Sequence, residues 1–260
     1  MKHYCVILLC LVLFSNVERM SAWEIEYQNV VYEILDGGQA RVMRASPYKK
    51  LLHRYSGKVY IPDSIYIDNN AYYVVDVTDA FRACQYLREI HLPSGLTYII
   101  NSAFAYCSSL QHIELPDSVS RIYDNSFYSC PSLQSVKLSI SLQRIGNSAF
   151  AECTRLKSIE IPQQVVTIEA DAFAKCRNLK RVVISQNVEF IGEYAFGECK
   201  RLREIYVYTK EPPKLGCGTT SLLVFEGVKR SIPIHIPKGS KPLYMQAKEW
   251  SLFTNYIDDL

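Results

Sequence analysis

Residues 149–173 read AFAECTRLKSIEIPQQVVTIEADAF, and the stretch closes on the Ala-Phe pair with which it opens, 23 residues later. Extended in both directions, the same period sets Phe81, Phe104, Phe127, Phe150, Phe173 and Phe196 in one column without a slip. Three residues after each stands a cysteine, from Cys84 to Cys199, and three after that a leucine, from Leu87 to Leu202. The branched residues Ile90, Ile113, Val136, Ile159, Val182 and Ile205 follow, each with Leu, Ile or Val two positions on. Five residues before each phenylalanine from the second onward is an isoleucine, from Ile99 to Ile191. A fixed period of this length marks a solenoid, in which one unit cannot bury its own apolar face and stacked units share a core.

Each unit resolves into two local patterns. Leu-x-x-Ile-x-Leu ends in alternation, which turns Ile90 and Leu92 to one face of a short strand and Glu89 and His91 to the other. Phe-x-x-Cys-x-x-Leu has a period near three and predicts a helical or 3₁₀ turn with all three side chains on one side. The small residue before each phenylalanine (Ala or Ser) suits a close approach of neighbouring turns, and Pro93, Pro116 and Pro162 end their strands. The segments around Ile122 and Ile145 predict a second short strand on the opposite side of the coil. The expected fold is an α/β solenoid: a right-handed leucine-rich coil of short parallel strands and short helical turns.

The flanks read as altered units, giving about eight strand rungs at a spacing of about 4.8 Å. Val59-Tyr60-Ile61-Pro62 repeats the pattern of Ile90 to Pro93, with an added hairpin expected around Asp68-Asn69-Asn70. Ile234-His235-Ile236-Pro237 repeats it again, and Ser240 to Trp250 predicts a capping helix with Ser240 as N-cap, Pro242 in the first turn and Leu243, Ala247 and Trp250 on one face. The division expected is 1–22 signal peptide, 23–75 β-rich N-terminal cap with a modified first repeat and hairpin, 76–208 six repeats, and 209–260 a modified repeat with helical cap. The signal peptide is expected because Lys2 and His3 precede an apolar run from Tyr4 to Phe14, too short to span a bilayer, with Ala22 small enough for cleavage. No other stretch predicts a membrane span.

The unit AFAECTRLKSIEIPQQVVTIEADAF resembles the leucine-rich repeat of the BspA-like family of bacterial and protist surface proteins. The tail, YVYTKEPPKLGCG from Tyr206 and IPIHIPKGSKPLYMQAKEW from Ile232, is similar to a C-terminal cap found in that family. The resemblance implies a secreted or cell-surface protein used for adhesion to host or matrix proteins or to other cells.

The cysteine column could be a disulfide framework, since adjacent rungs bring Cα atoms about 4.8 Å apart. Stacked side chains point in parallel, however, and each cysteine sits between a core phenylalanine and a core leucine, so a buried thiol ladder is the expectation. Cys217 stands outside the column. Glu89, His112, His91 and Glu114 would form a Glu/His checkerboard with ligand types that zinc accepts, but cross-strand charge pairing explains the same pattern, and no metal or other cofactor is expected. No nucleophile elbow, zinc-protease motif, phosphate loop or dinucleotide fingerprint occurs, so the chain does not read as an enzyme.

Outward positions of the strands are left to carry function. His91, His112, Glu114, Lys137, Glu160, Arg181 and Tyr206 are the candidate binding residues. Among the 19 tyrosines, Tyr98, Tyr106, Tyr123 and Tyr128 are further outward candidates, since tyrosine joins an apolar ring to a polar tip. A net charge of +3 spread over interspersed residues argues against a nucleic-acid partner. The expected partner is an extracellular protein or cell-surface macromolecule. A glycan or nutrient-capture role, or a passive structural one, is the alternative.

Overall fold

A computed structural model describes residues 23–27, 30–43, 55–78, 80–216 and 223–260. The expected signal peptide and Cys217 lie outside the described residues. The chain begins with β1 (Trp23–Tyr27), β2 (Val30–Leu35), β3 (Gln39–Val42), β4 (Gly57–Tyr60), β5 (Ser64–Ile67) and β6 (Asn70–Asp76). Five of these form a mixed sheet in the order β1-β2-β3-β6-β5, while β4 joins the solenoid. β5 and β6 are antiparallel through a two-residue turn at Asp68 and Asn69, both with positive φ, the geometry that matches the natural twist of a hairpin.

From residue 87 the strands alternate between two sides of the coil. One side receives β7 (Leu87–His91), β9 (His112–Glu114), β11 (Ser135–Lys137), β13 (Ser158–Glu160), β15 (Arg181–Ile184), β17 (Glu204–Val207) and β19 (Ile234–Ile236). The other receives β8 (Tyr98–Ile99), β10 (Arg121–Ile122), β12 (Arg144–Ile145), β14 (Thr167–Ile168), β16 (Phe190–Ile191) and β18 (Lys214–Leu215), the second strands that the isoleucine column predicts. Helix α1 (Lys241–Gln246) and a last strand, β20 (Tyr256–Asp258), complete the described chain. Through the repeats all pairing is parallel and sets residues 23 apart side by side, as in Ile113 against Val136 and Ile122 against Ile145. The second side is one continuous six-stranded sheet, but the first is two sheets, β4-β7-β9-β11 and β13-β15-β17-β19-β20. β20 adds a rung to the side the sequence assigns about eight, because the chain returns to the sheet after its cap.

The core is a stack. Phe81, Phe104, Phe127, Phe150, Phe173 and Phe196 lie ring on ring at centroid distances of 4.9–5.4 Å and within 5° of parallel. Phe225, 29 residues after Phe196 and so outside the sequence register, joins the column at 5.4 Å. Leucine, isoleucine and valine columns surround the rings, nearly all fully buried.

The expected helical turns do not form, and the fold is a parallel β-solenoid rather than an α/β one. Each phenylalanine from Phe104 to Phe196 has a left-handed residue two before and two after it, as Ser148 (φ 51°) and Glu152 (φ 63°) flank Phe150. A right-handed helix cannot run through such residues. Instead, turns follow one another with i to i−3 bonds: Ala151 N–H to Ser148 O, Cys153 N–H to Phe150 O and Leu156 N–H to Cys153 O. These tight turns produce the spacing of three that also suits a helix.

The helical cap is also corrected. α1 covers six residues instead of Ser240 to Trp250, Ala247 is extended and Glu249 is left-handed (φ 64°). Tyr244, not Leu243, is the buried residue of α1, and the Ser240 hydroxyl makes no capping bond. The end of the core is closed mainly by aromatic rings. Buried Trp250 packs on Phe225, Tyr244 and Phe253 and donates Nε1–H to Pro213 O at 2.9 Å.

Candidate binding face and its seam

The seven candidate residues stand in two columns along the first side. The outer positions of successive strands are Lys58, Glu89, His112 and Ser135 in one column and Tyr60, His91, Glu114 and Lys137 in the other. Past β11 the columns continue as Ser158, Arg181, Glu204 and as Glu160, Val183, Tyr206, His235. Most of these side chains engage a neighbour on the next rung. Lys58 pairs with Glu89 at 2.7 Å, Lys137 with Glu114, and Arg181 with both Glu160 (3.1 Å) and Glu204 (3.6 Å). His112 Nδ1 meets the Ser135 hydroxyl at 2.7 Å. The glutamates and histidines of the checkerboard are thus held in separate contacts, with His91 stacked on Tyr60 at 4.6 Å. Among the described residues no group of three or more His, Cys, Asp or Glu is placed to hold a metal ion.

His91, His112, Glu114, Lys137 and Glu160 are exposed, while Arg181 and Tyr206 are half-buried. Their burial has a shared cause: the Arg181 guanidinium lies 4.6 Å over the Tyr206 ring, which itself lies flat on His235 at 4.2 Å. His235 Nδ1 is in turn 3.0 Å from both carboxylate oxygens of Asp259. This Arg-Tyr-His-Asp stack fixes four recognition-competent side chains at one end of the face. Sequence reasoning placed His235 in an altered repeat but not among the candidate residues, and Asp259 follows β20, a strand that the repeat pattern does not predict. Of the other tyrosines, Tyr98 and Tyr106 are exposed, and Tyr123 and Tyr128 are half-buried against them by edge-to-face contact.

A seam crosses the face. No strand pairing joins β11 to β13, and the Lys157 N–H to Gln134 O bond beside it is 3.4 Å, against 2.8–3.0 Å for its counterparts at Gln111, Gln134, Lys180 and Arg203. Val136 is partly uncovered there, whereas its counterparts Ile90, Ile113, Ile159, Val182 and Ile205 are buried. A depression of about 520 Å³ opens along the seam, with Ser135, Lys137, Ser158 and Glu160 on its lips and Val136 and Val183 within. At the same place the sequence carries Ser139-Ile140 where the adjacent units have Pro116-Asp117 and Pro162-Gln163; Ser185-Gln186 and Tyr208-Thr209 also lack the proline, but Ile140 is the one apolar residue at its position among the six units. Ile140 was the available signal for the seam, together with Val183, an aliphatic residue in its outward column between Glu160 and Tyr206.

The cysteine column stays in the core. Cys107, Cys130, Cys153, Cys176 and Cys199 are buried and unbridged. Each thiol donates to the carbonyl of the phenylalanine 26 residues earlier, at 3.0–3.3 Å. Burial pushes the thiols of Cys107, Cys130 and Cys176 well up and that of Cys199 up to about 12, so they are poor nucleophiles and poor metal ligands.

Comparison with known proteins agrees with this architecture. Residues 77–203 match the sequence model of the BspA type Leucine rich repeat region in six copies. A leucine rich cell surface protein from Faecalibacterium prausnitzii A2-165 is similar at 29% identity and a TM-score of 0.50, over 70% of this chain but 38% of that one. The leucine rich repeat protein of T. pallidum is similar at 28% identity and a TM-score of 0.54, over 68% of this chain and 89% of that one. None of the curated proteins compared with the chain matches it. No described helix is long and apolar enough to cross a membrane. The six-copy match and the stacked 23-residue coils together identify residues 77–203 as a leucine-rich repeat region of the BspA type.

Proposed function

We propose that the protein is an extracellular recognition module, exported to the cell surface or beyond, that adheres to a host, matrix or neighbouring-cell protein through the face carrying His91, His112, Glu114, Lys137, Glu160, Arg181 and Tyr206. The observation that supports this most is the bracing of that face. Its outward side chains are already held by rung-to-rung ion pairs and ring stacks, so little side-chain entropy is lost on binding. Arg, Tyr and His mixed with balanced charge also suit a protein surface. Nine rungs at about 4.8 Å give a face roughly 40 Å long, enough for an interface of about 800 Å² per partner. A rigid scaffold whose thiols from Cys107 to Cys199 are buried favours binding over catalysis.

The test is a surface-plasmon-resonance screen of the full chain against purified matrix and cell-surface proteins. Arg181→Glu and Lys137→Glu should each weaken a true partner about tenfold or more, equal to about 1.4 kcal/mol. Arg121→Glu, on the opposite sheet, should leave it unchanged. A partner sensitive to Arg121→Glu and indifferent to the other two would sink the reading.

A further inference from the structure

A second depression, of about 770 Å³, lies on the edge where the coils turn from the strand face to the six-stranded sheet, among residues 164–166, 186–190 and 209–214. It adjoins the seam depression, since Gln186 lines both. Both volumes fall in the range of small-ligand sites and are concave, whereas a protein partner is met on a broad, flatter face. From their lining we infer that the paired depressions bind a neutral saccharide, a site that stands whether or not the strand face binds a protein.

Charge excludes several ligand classes. In the seam depression Lys137 is neutralised by Glu114, and Glu160 by Arg181. In the edge depression Lys210 and Lys214 are balanced by Glu189 and Glu211. Neither site concentrates charge of one sign, as a phosphate, a nucleic acid or an acidic glycan would need. The polar groups that remain are chiefly the amides of Gln163, Gln164 and Gln186 and the Ser158 hydroxyl, with the Asn187 side-chain carbonyl oxygen beside them; Asn187 Nδ2 already donates to Gln163 O at 2.8 Å and the Ser185 hydroxyl to Pro162 O at 2.7 Å. Each amide offers both a donor and an acceptor, the combination that a sugar hydroxyl presents in return.

An extended peptide has no comparable purchase in the edge depression. The backbone along this edge is consumed in rung-to-rung bonds: Val166 N–H to Gln143 O at 3.0 Å, and Glu189 N–H to Val166 O and Lys214 N–H to Glu189 O at 2.9 Å. No open strand edge is left in the edge depression for a peptide to extend; the unpaired edges of β11 and β13 lie at the seam depression alone. Apolar surface is present in the form a pyranose ring uses. Tyr208 is 46% exposed at the wall of the seam depression, and Val166 and the half-buried Phe190 line the other. An aromatic face beside amides matches a ring whose one side is C–H and whose rim is hydroxyl.

The test screens the full chain on an array holding neutral oligosaccharides, acidic oligosaccharides and peptides. Hits are then titrated by calorimetry against the wild type, Tyr208→Ala, Tyr208→Phe, Gln186→Ala and Arg121→Glu. The expected result is a neutral saccharide bound with a Kd of about 1 mM or tighter. Tyr208→Ala and Gln186→Ala should each weaken it about tenfold, a loss in the range of one ring contact or hydrogen bond. Tyr208→Phe and Arg121→Glu should retain it. All five proteins should melt together, since Tyr208 and Gln186 are exposed. Tyr208→Phe supplies the ring comparison if the alanine variant unfolds. Binding confined to acidic oligosaccharides or peptides, no saccharide bound at about 10 mM, or affinities equal in all five proteins would each overturn the assignment.

Discussion

Phe150 has a ring on either side, Phe127 at 4.9 Å and Phe173 at 5.3 Å, and no exposed surface. Truncation opens a cavity between two coils that cannot close without tilting the stack, so Phe150→Ala should cost about 3–5 kcal/mol in urea unfolding. The thiols beside it make a second expectation, this time in pH. Cys199 ordinarily ionises near 9.0 and is held at about 12 in the fold, because burial disfavours the thiolate. The unfolded chain therefore releases protons above about pH 9 that the folded chain keeps, and stability falls as pH rises through that window towards 12. Cys107, Cys130 and Cys176 are shifted in the same direction by the same cause. Each such thiol steepens the loss by up to about 1.4 kcal/mol per pH unit. Urea midpoints under reductant should hold up to about pH 8 and drop sharply by pH 10, and a flat profile would show that the thiols are not buried in solution.

At the scale of the element, the turns decide what kind of coil this is. Ser129 sits at φ 54°, a conformation that disfavours a residue with a Cβ by about 1–2 kcal/mol, while glycine loses about 0.5–1 kcal/mol more in chain entropy on folding. Ser129→Gly should therefore raise stability by up to about 1 kcal/mol, provided the N–H to Ala151 O bond at 2.9 Å is kept, and thermal unfolding reads the difference directly. The strands were legible because Ile-x-Leu alternation has one structural solution. The turns were not, because Phe-x-x-Cys-x-x-Leu fits a helix and a run of three-residue turns equally, and residues such as Ser148, Glu152 and Lys175 carry no sign that they are left-handed. The C-terminal cap misled for a related reason: Leu243, Ala247 and Trp250 have helical spacing, but Trp250 lies beyond α1 in a separate 3₁₀ turn, Trp250–Leu252, held by its bond to Pro213 and the rings around it. Trp250→Ala should consequently expose the last coil, cost about 3–5 kcal/mol and open the region after Phe225 to protease before the middle repeats.

The whole molecule is a one-dimensional stack, so its stability is set by the interfaces between neighbouring coils, and these are not equal. Most coils are tied by strands on both sides, as β10 and β12 tie one side where β9 and β11 tie the other. Between β11 and β13 one tie is missing, and only the β12–β14 pairing, the turn bonds and the core rings continue across. The repeat makes these coils alike at their core positions, which is why the period revealed the stack but not its weakest joint, marked only by the outward Ile140 and Val183. The amides of Gln111, Gln134, Lys157, Lys180 and Arg203 occupy the same position in successive coils and differ chiefly in bond length, with Lys157 the longest at 3.4 Å. In hydrogen exchange the Lys157 amide should lose protection first, by about tenfold or more against its four counterparts. Under mild denaturant the halves on either side should then part at this seam, residues up to Lys137 exchanging as one unit and those from Ser158 as another. Equal protection of all five amides would mean that the core and the second sheet alone hold the coils together. In that event the opening on the binding face would be a fixed groove, with no loosening of the joint beneath it.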